Sequence, residues 1–171
     1  MLETWIRAIT HPSQATFRDL LQQAPDPTFS KGANWIALAG LIAGIVQGLQ
    51  YGGDVSSLVC APVSAVIAAI VFGISSMIIL VIAQALGGDG DLDSQSYLLA
   101  AVQAPMTIIS AVLGTVSLFS LLAGLYTLAL TVIVLQAVHD YGMGKAILSL
   151  VLPGMIIFVL ALGYMMTFGL L

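Results

Sequence analysis

The chain alternates between long apolar stretches and short polar zones. Four stretches contain no Asp, Glu, Lys or Arg: residues 32–53, 55–88, 94–139 and 146–171. A single ionised side chain at the centre of a spanning helix costs roughly 2.5–3.5 kcal/mol, so lipid excludes charge in this manner. The pattern therefore predicts an integral membrane protein whose apolar stretches cross the bilayer as helices.

The lengths of these stretches predict the number of spans. A helix crosses about 30 Å of hydrocarbon with about 20 residues. The second stretch is too short for two spans, and proline suits a first helical turn, so one long helix beginning at Pro62 is expected. The third stretch is more than twice as long as one span, so we expect it to turn back on itself near residues 114–117. We predict an all-α integral membrane bundle of five transmembrane helices, at about 34–50, 62–86, 97–114, 118–138 and 146–168.

Residues 1–31 form a separate N-terminal segment ahead of the transmembrane domain, residues 32–171. The segment has neither the basic start nor the apolar core of a secretory signal. Apolar residues group on the faces of two short helices, and Pro12 is placed to start the second. They are Trp5, Ile6 and Ile9 on the first helix, and Phe17, Leu20 and Leu21 on the second. The segment is either a solubilising tail or an anchor of interfacial helices in the headgroup layer.

Composition narrows the classes of function. Hydrophobic residues make up 60% of the chain and charged residues 7%, against about 25% charged in a soluble domain. No basic run is present, so no nucleic-acid partner is expected. Cys60 is the single cysteine, which rules out an internal disulfide and any cysteine-based metal cluster. We expect no cofactor and no metal.

The basic residues predict the orientation. With five spans and a cytoplasmic N-terminus, all four basic residues fall on the cytoplasmic side, as the positive-inside rule requires. They are Arg7, Arg18, Lys31 and Lys145. The sequence thus predicts a multi-pass protein of the cytoplasmic (inner) membrane with its C-terminus on the opposite side.

Two rows of small residues predict where helices approach closely. In lipid, helices associate through small residues that bring backbones together. The first span carries glycine at every fourth position, and the second carries a similar row of small residues. The rows are Gly40, Gly44, Gly48 and Gly52, and then Ala61, Ala65, Ala69 and Gly73. We expect these rows to meet each other or another subunit.

Residues for catalysis or ion coupling are missing from the spans. No ionisable Asp, Glu, Lys or Arg lies inside a predicted span, and such residues usually mark ion or proton pathways. The two histidines are His11 and His139, and no metalloprotease, nucleophile-elbow or P-loop motif occurs. His139 and Asp140 are adjacent and would point to different helix faces. We therefore predict no catalytic residue and no enzyme.

Residues 87–97, GGDGDLDSQSY, are the most polar segment. Asp89, Asp91 and Asp93 alternate as in the opening of a calcium loop, yet the glycine and the bidentate glutamate of such a loop are missing. We expect instead that Gly87 and Gly88 end the second span with a left-handed cap. Asp93 or Ser94 is expected to cap the third span.

Three segments together resemble the Yip family of Ypt/Rab-interacting multi-span proteins and their prokaryotic relatives. They are HPSQATFRDL before the first span, LGGDGDLDSQSYLLAAVQAP, and LQAVHDYGMGKAILSLVLP before the last span. The positions that carry the resemblance in the loops are Gly87, Gly88, Asp89, Asp91, Asp93, Pro105, His139, Asp140, Gly142 and Lys145. The resemblance implies a non-enzymatic helical membrane protein that organises membranes or partner proteins. The aromatic-rich cytosolic motif of the eukaryotic branch is absent from residues 1–31, so Rab-type GTPase binding is not expected and a prokaryotic-type member is.

Three functions remain open on the sequence. The first is a scaffold that docks other integral membrane proteins or copies of itself. The second is a transporter of small solutes or lipids, with a path lined by glutamines of the spans: Gln47, Gln84, Gln103 and Gln136. The third is an accessory subunit of a larger membrane complex. A polar cavity reaching the middle of the bilayer would favour the second.

Overall fold

The computed structural model describes the backbone of residues 1–50, 55–113 and 117–167, and the side chains of residues 1–50, 59–113 and 118–155. Within these ranges the chain forms helices joined by short loops. They are α1 Leu2–Thr10, α2 Gln14–Gln23, α3 Phe29–Gln50, α4 Val55–Ala85, α5 Leu92–Leu113, α6 Ser117–His139 and α7 Met143–Thr167. The predicted all-helical fold is confirmed. The predicted turn near residues 114–117 falls largely outside the described residues, as does Gly52.

Four helices of the described part are long and apolar enough to cross a membrane. Their apolar segments are Phe29–Gln50, Val59–Ala85, Leu92–Leu113 and Leu118–His139. The 25 residues of α7 would reach about 37 Å at 1.5 Å per residue, and its apolar part with described side chains is Met143–Met155. The predicted membrane bundle is therefore confirmed as a multi-span architecture, with α7 as the fifth long helix.

The long helices begin before the predicted boundaries, most clearly in α4. This helix begins at Val55, so Pro62 lies inside it and not in its first turn. Pro105 and Pro153 are also interior to helices. An interior proline removes one backbone hydrogen bond, and neighbouring helices in a membrane bundle compensate for it well enough to keep the helix continuous. A kink at Pro153–Gly154 stays a prediction.

The central helix of the bundle is α5. Of its apolar segment 61% is buried inside the protein, compared with 17% for α4 and 22% for α6. It contacts α3 on one side and α6 on another, while α4 packs against α3 and α7. Leu98, Leu99 and Val102 of α5 are fully buried together with Leu130 and Val134 of α6. These contacts make α5 the element on which both neighbouring faces are assembled.

The N-terminal segment packs onto the bundle. Phe17 of α2 is completely buried, and Trp5 of α1 meets Trp35 of α3 edge to face with ring centroids 6.1 Å apart. The cap of α2 is Ser13, whose hydroxyl accepts a hydrogen bond from the Thr16 N–H, so α2 begins after Ser13 and not at Pro12. Of the apolar group predicted on α1, Trp5 faces the core whereas Ile6 stays 57% exposed.

All four basic residues lie at one end of the bundle, which we call the basic end. Lys31 is in the first turn of α3 and Lys145 in the first turn of α7. Arg7 and Arg18 belong to the N-terminal helices, and Arg18 forms an ion pair with Asp140, just after α6. The loop between α4 and α5 and the loop between α6 and α7 meet at this end, which makes it the polar face of the molecule.

Candidate functional site

The loop at the end of α4 closes with the geometry that its glycines predict. Gly87 has a left-handed φ of 86°, and its N–H donates to the Gln84 carbonyl. The next N–H, that of Gly88, donates to the Ala83 carbonyl at 2.9 Å. These two bonds form a Schellman cap, which satisfies the last carbonyls of α4 and turns the chain back across the basic end.

The aspartates of this loop cap two different helices. Asp91 accepts the Ser94 N–H at 2.9 Å and is the N-cap of α5. Asp93 accepts the Phe29 N–H at 2.7 Å, which satisfies a donor at the start of α3. The expectation that Asp93 or Ser94 caps α5 is therefore corrected. Burial acts to raise the pKa of Asp91, but hydrogen bonds from Ser94 and neighbouring N–H groups outweigh it, and this pKa is lowered.

Beneath the loop, His139 is the centre of a buried hydrogen-bond chain. Its Nδ1 accepts the Gly90 N–H at 3.1 Å, and its Nε2 lies 2.8 Å from Gln95 Oε1. Gln95 in turn donates to the Ser76 carbonyl at 2.8 Å. Because Nδ1 accepts a bond, the ring proton is on Nε2 and is donated to Gln95. We call Ser76, Gln84, Gly90, Gln95 and His139 the polar layer, since Gln84 donates to the Gly90 carbonyl.

The polar layer requires glycine in the loop above it. A Cβ added at Gly88 would lie 2.7 Å from His139 Nδ1. One added at Gly90 would lie 2.5 Å from Val138 Cγ1. The loop backbone thus rests directly on the imidazole. The structure brings together Gly88 and His139, two positions from separate segments that carry the family resemblance.

His139 and Asp140 diverge, as expected for neighbouring residues. Asp140 has a left-handed φ of 50° and pairs with Arg18, whose Nε also approaches the Ala137 carbonyl. The next residue, Tyr141, stacks on the His139 ring with 5.3 Å between centroids, and its hydroxyl meets Ser149 Oγ at 2.9 Å. Burial raises the pKa of Tyr141, so this phenol stays protonated and acts as a hydrogen-bonding group.

The remaining loop positions are structural or peripheral. The Gly142 carbonyl accepts the N–H groups of Lys145 and Ala146 at the start of α7. The Lys145 ammonium lies 3.5 Å from the place of a Cβ on Gly87. Pro105 is buried in α5, far along the helix from the loops. Asp89 makes no hydrogen bond or ion pair within the described residues.

The rows of small residues bring α3 and α4 into close contact. A Cβ on Gly44 would lie 2.9 Å from Ala61 Cα, and one on Gly40 would lie 3.2 Å from Ala65 Cα. Gly40 also faces Ala68, and Gly48 is buried in α3. Gly73 meets the ring of Phe29, whereas nothing places Ala69 at this contact. Of the two rows, Gly40 and Gly44 thus face Ala61 and Ala65 within one chain.

A groove opens between α3, α5 and α6 away from the basic end. Its volume is about 750 Å³, and no charged residue lines it. Among the predicted glutamines, Gln47 and Gln103 line the groove, while Gln84 belongs to the polar layer and Gln136 lies elsewhere on α6. Gln103 is about 16 Å along α5 from its first residue, near half the thickness of a bilayer. The groove therefore reaches roughly to mid-depth.

Gln95 is the functional-site residue that the sequence reasoning missed. By composition it belongs to the polar segment 87–97, which we expected to be a loop. In the structure α5 begins earlier than predicted, so Gln95 lies in its first turn, and its side chain is fully buried. The signal that could have found it is its position in the first turn of a helix that continues into an apolar span. The N-terminal aromatic contact of Trp5 with Trp35 was likewise not predictable from either residue alone.

Comparison with protein families decides the relationship. A model of the Yip1 domain matches residues 6–165, nearly the whole chain. The chain belongs to the Yip1 domain family. The match runs from α1 into α7, so the N-terminal helices are part of the Yip1 domain and not an appendage to it. No curated protein and no solved structure matches this Yip1 domain significantly.

Proposed function

We propose that this Yip1 domain is a non-enzymatic scaffold of the cytoplasmic membrane that docks partner membrane proteins, or copies of itself, through its basic end. The basic end faces the cytoplasm in this proposal, because Lys and Arg are retained on that side of a membrane. The C-terminus then lies on the opposite side. The polar layer supports a structural role, since its hydrogen bonds join α5 to α4 and to α6.

One observation carries the proposal: the N-terminal hairpin, formed by α1 and α2, is built into the bundle. Phe17 is buried in the core, Arg18 pairs with Asp140, and the Tyr126 hydroxyl donates to the Ile9 carbonyl. A loose tail would lose conformational entropy on meeting a partner, whereas a fixed surface has already lost it. The outer faces of α1 and α2 are therefore pre-organised for recognition.

Photo-cross-linking in native membranes tests the proposal. A photo-reactive residue replaces Gln22, which is exposed on α2, and in a matched control it replaces Val66, which is exposed on the apolar face of α4. We expect a discrete protein adduct from position 22 and lipid adducts from position 66. Phe17→Ala should weaken the protein adduct at position 22, because it removes the completely buried ring that holds α2 on the bundle.

Two results would contradict the docking proposal. One is that only lipid is captured from both positions. The other is that Phe17→Ala leaves the adduct unchanged, because docking would then not need α2 in place. A chain that purifies only as a monomer in mild detergent and leaves lipid organisation unchanged would contradict the scaffold role as well.

The groove supports a second candidate function, passage of small uncharged solutes. Gln47 and Gln103 line it, and among the described residues neither side chain has a hydrogen-bond partner. An unpartnered amide at this depth is costly unless water or a solute meets it. The groove ends at the buried residues of α5 between Gln103 and the basic end. Passage of a solute would therefore require α5 and α6 to move apart.

Filling the groove tests this candidate. Gly124 lines it, and a Cβ there meets nothing within 4 Å, so Gly124→Leu should narrow the groove without disturbing the bundle. If solutes pass, proteoliposomes should swell faster than empty liposomes in urea or glycerol, and Gly124→Leu should slow them to the rate of empty liposomes. Equal swelling of wild-type and empty liposomes would rule the function out.

A further inference from the structure

A second pocket lies at the basic end, between the N-terminal hairpin and the starts of α3 and α5. Its volume is about 290 Å³. The side chains that matter for recognition come from three helices: Glu3 and Arg7 from α1, Lys31 and Trp35 from α3, and Tyr97 from α5. Two of the four basic residues of the chain therefore line one small cavity.

The two cations of this N-terminal pocket differ in what they already bind. Arg7 is held by Asp19 and by Gln23, which fixes its guanidinium in the wall. The Lys31 ammonium lies 6.0 Å from the centre of the Tyr97 ring and 3.5 Å from the Asp26 carbonyl. Within the described residues it forms no ion pair. The pocket thus offers one cation without an anionic partner beside a second, fixed one.

The surroundings of the pocket belong to the membrane boundary. Trp35 and Tyr97 form part of its wall in the second turns of α3 and α5, near the ends of two spans, and both rings are buried inside the bundle. On α1, Leu2 and Ile6 are 65% and 57% exposed and lie one turn apart, beside Glu3 and Arg7. An exposed apolar edge next to a charged pocket is the arrangement of an interfacial helix resting on lipid.

A buried donor stands close to the same wall. The Trp5 indole N–H is buried and has no hydrogen-bond partner within the described residues, and its ring meets Trp35 edge to face. Buried N–H groups are nearly always satisfied. Trp5 does not line the pocket itself, so this donor belongs to the adjoining core and not to the ligand site.

We propose that the N-terminal pocket binds the headgroup of a phospholipid from the adjoining leaflet. The phosphate lies between Lys31 and Arg7, and the acyl chains follow the apolar edge of Leu2 and Ile6. The Glu3 carboxylate in the same pocket pairs with an ammonium group, which makes ethanolamine the best-fitting headgroup. This site is independent of partner docking, since a lipid can bind whether or not a protein does.

Native mass spectrometry of the delipidated full-length chain tests the site. The probes are phosphatidylethanolamine, phosphatidylglycerol and water-soluble glycerophosphoethanolamine. Loss of a charge-assisted hydrogen bond corresponds to about a tenfold change in affinity. We expect Lys31→Gln to weaken phosphatidylethanolamine binding about tenfold and Lys31→Arg to retain it. The matched control is Lys145→Gln, a basic residue at the same end but outside the pocket, which should bind like wild type.

Three results would overturn the proposal. If Lys31→Gln and Lys145→Gln lose equal affinity, the lipid is held by general charge and not by the pocket. If glycerophosphoethanolamine binds as tightly as the lipid, the ligand is a soluble phosphate ester. If phosphatidylglycerol binds as well as phosphatidylethanolamine and Glu3→Gln changes neither, the ammonium has no partner here. Unfolding midpoints of all variants should match wild type, which keeps binding separate from folding.

Discussion

Gly44→Leu should strongly destabilise the bundle, because the contact between α3 and α4 leaves no room for a side chain at position 44. The nearest atom to an added Cβ is Ala61 Cα at 2.9 Å, which is backbone and cannot rotate away. Forcing extra atoms into a packed contact typically costs about 1–3 kcal/mol, and a leucine against a helix backbone belongs at the upper end of that range. The unfolding midpoint in an SDS titration from mild detergent measures the effect.

Gly124→Leu is the matched control for this substitution. It introduces the same side chain at a glycine of another long helix, where a Cβ meets nothing within 4 Å. We expect its unfolding midpoint to stay close to that of wild type. A similar loss in both variants would mean that leucine disturbs any span, and the α3–α4 contact would then not be the cause.

A compensating change separates backbone from side-chain contact. Gly44→Ala places its Cβ against both Ala61 Cα and Ala61 Cβ, the latter at 3.2 Å. Adding Ala61→Gly removes only the Cβ, so the double variant should recover part of the lost stability and not all of it. Full recovery would show that α4 can shift to accept the methyl group at Gly44.

The sequence predicts the helices of this protein well because lipid imposes a simple rule on them. Charge is excluded from spans, so the apolar stretches reveal the long helices. The basic residues are left at the ends of these helices. The start of α4 was missed for the same reason. Between Asp54 and Pro62 no charge marks a boundary, and the preference of proline for a first turn misled the prediction.

The hydrogen-bond partners at the basic end could not be predicted in the same way. From the sequence, Asp93 is expected to cap the helix in whose first turn it lies. In the structure it caps α3 instead, more than sixty residues earlier in the chain. His139 and Gln95 are each ordinary polar residues in sequence and become one unit only when α5 and α6 pack side by side. Such pairings depend on three-dimensional neighbours, which local pattern does not contain.

The N-terminal helices depend both on local sequence pattern and on three-dimensional neighbours. Their amphipathic pattern indicates that one face is apolar, but it does not say whether that face meets lipid or protein. In the structure α1 meets protein through Trp5, which packs against Trp35, while Ile6 remains exposed. The fold thereby uses one short helix to close the bundle and to present an apolar edge.

Gln95→Leu should destabilise the buried hydrogen-bond chain at the basic end. It removes the acceptor of His139 Nε2–H and the donor to the Ser76 carbonyl, both of them in the buried part of the bundle. The Ser76 carbonyl lies inside α4 and keeps its helical hydrogen bond, so the group left without a partner is the His139 Nε2–H. A buried polar group in that state costs about 1–3 kcal/mol, which is the expected loss. The same SDS titration measures this loss.

Gln103→Leu is the control, and a double-variant cycle gives the sharper test. Gln103 lies on the same helix and its side chain has no hydrogen-bond partner within the described residues, so its replacement should leave the midpoint unchanged or raise it. Combining Gln95→Leu with His139→Leu should cost clearly less than the sum of the two single changes, because the second removes a group that the first has already orphaned. Additive losses would instead mean that His139 and Gln95 stabilise the fold separately, and the polar layer would then not act as one connected unit.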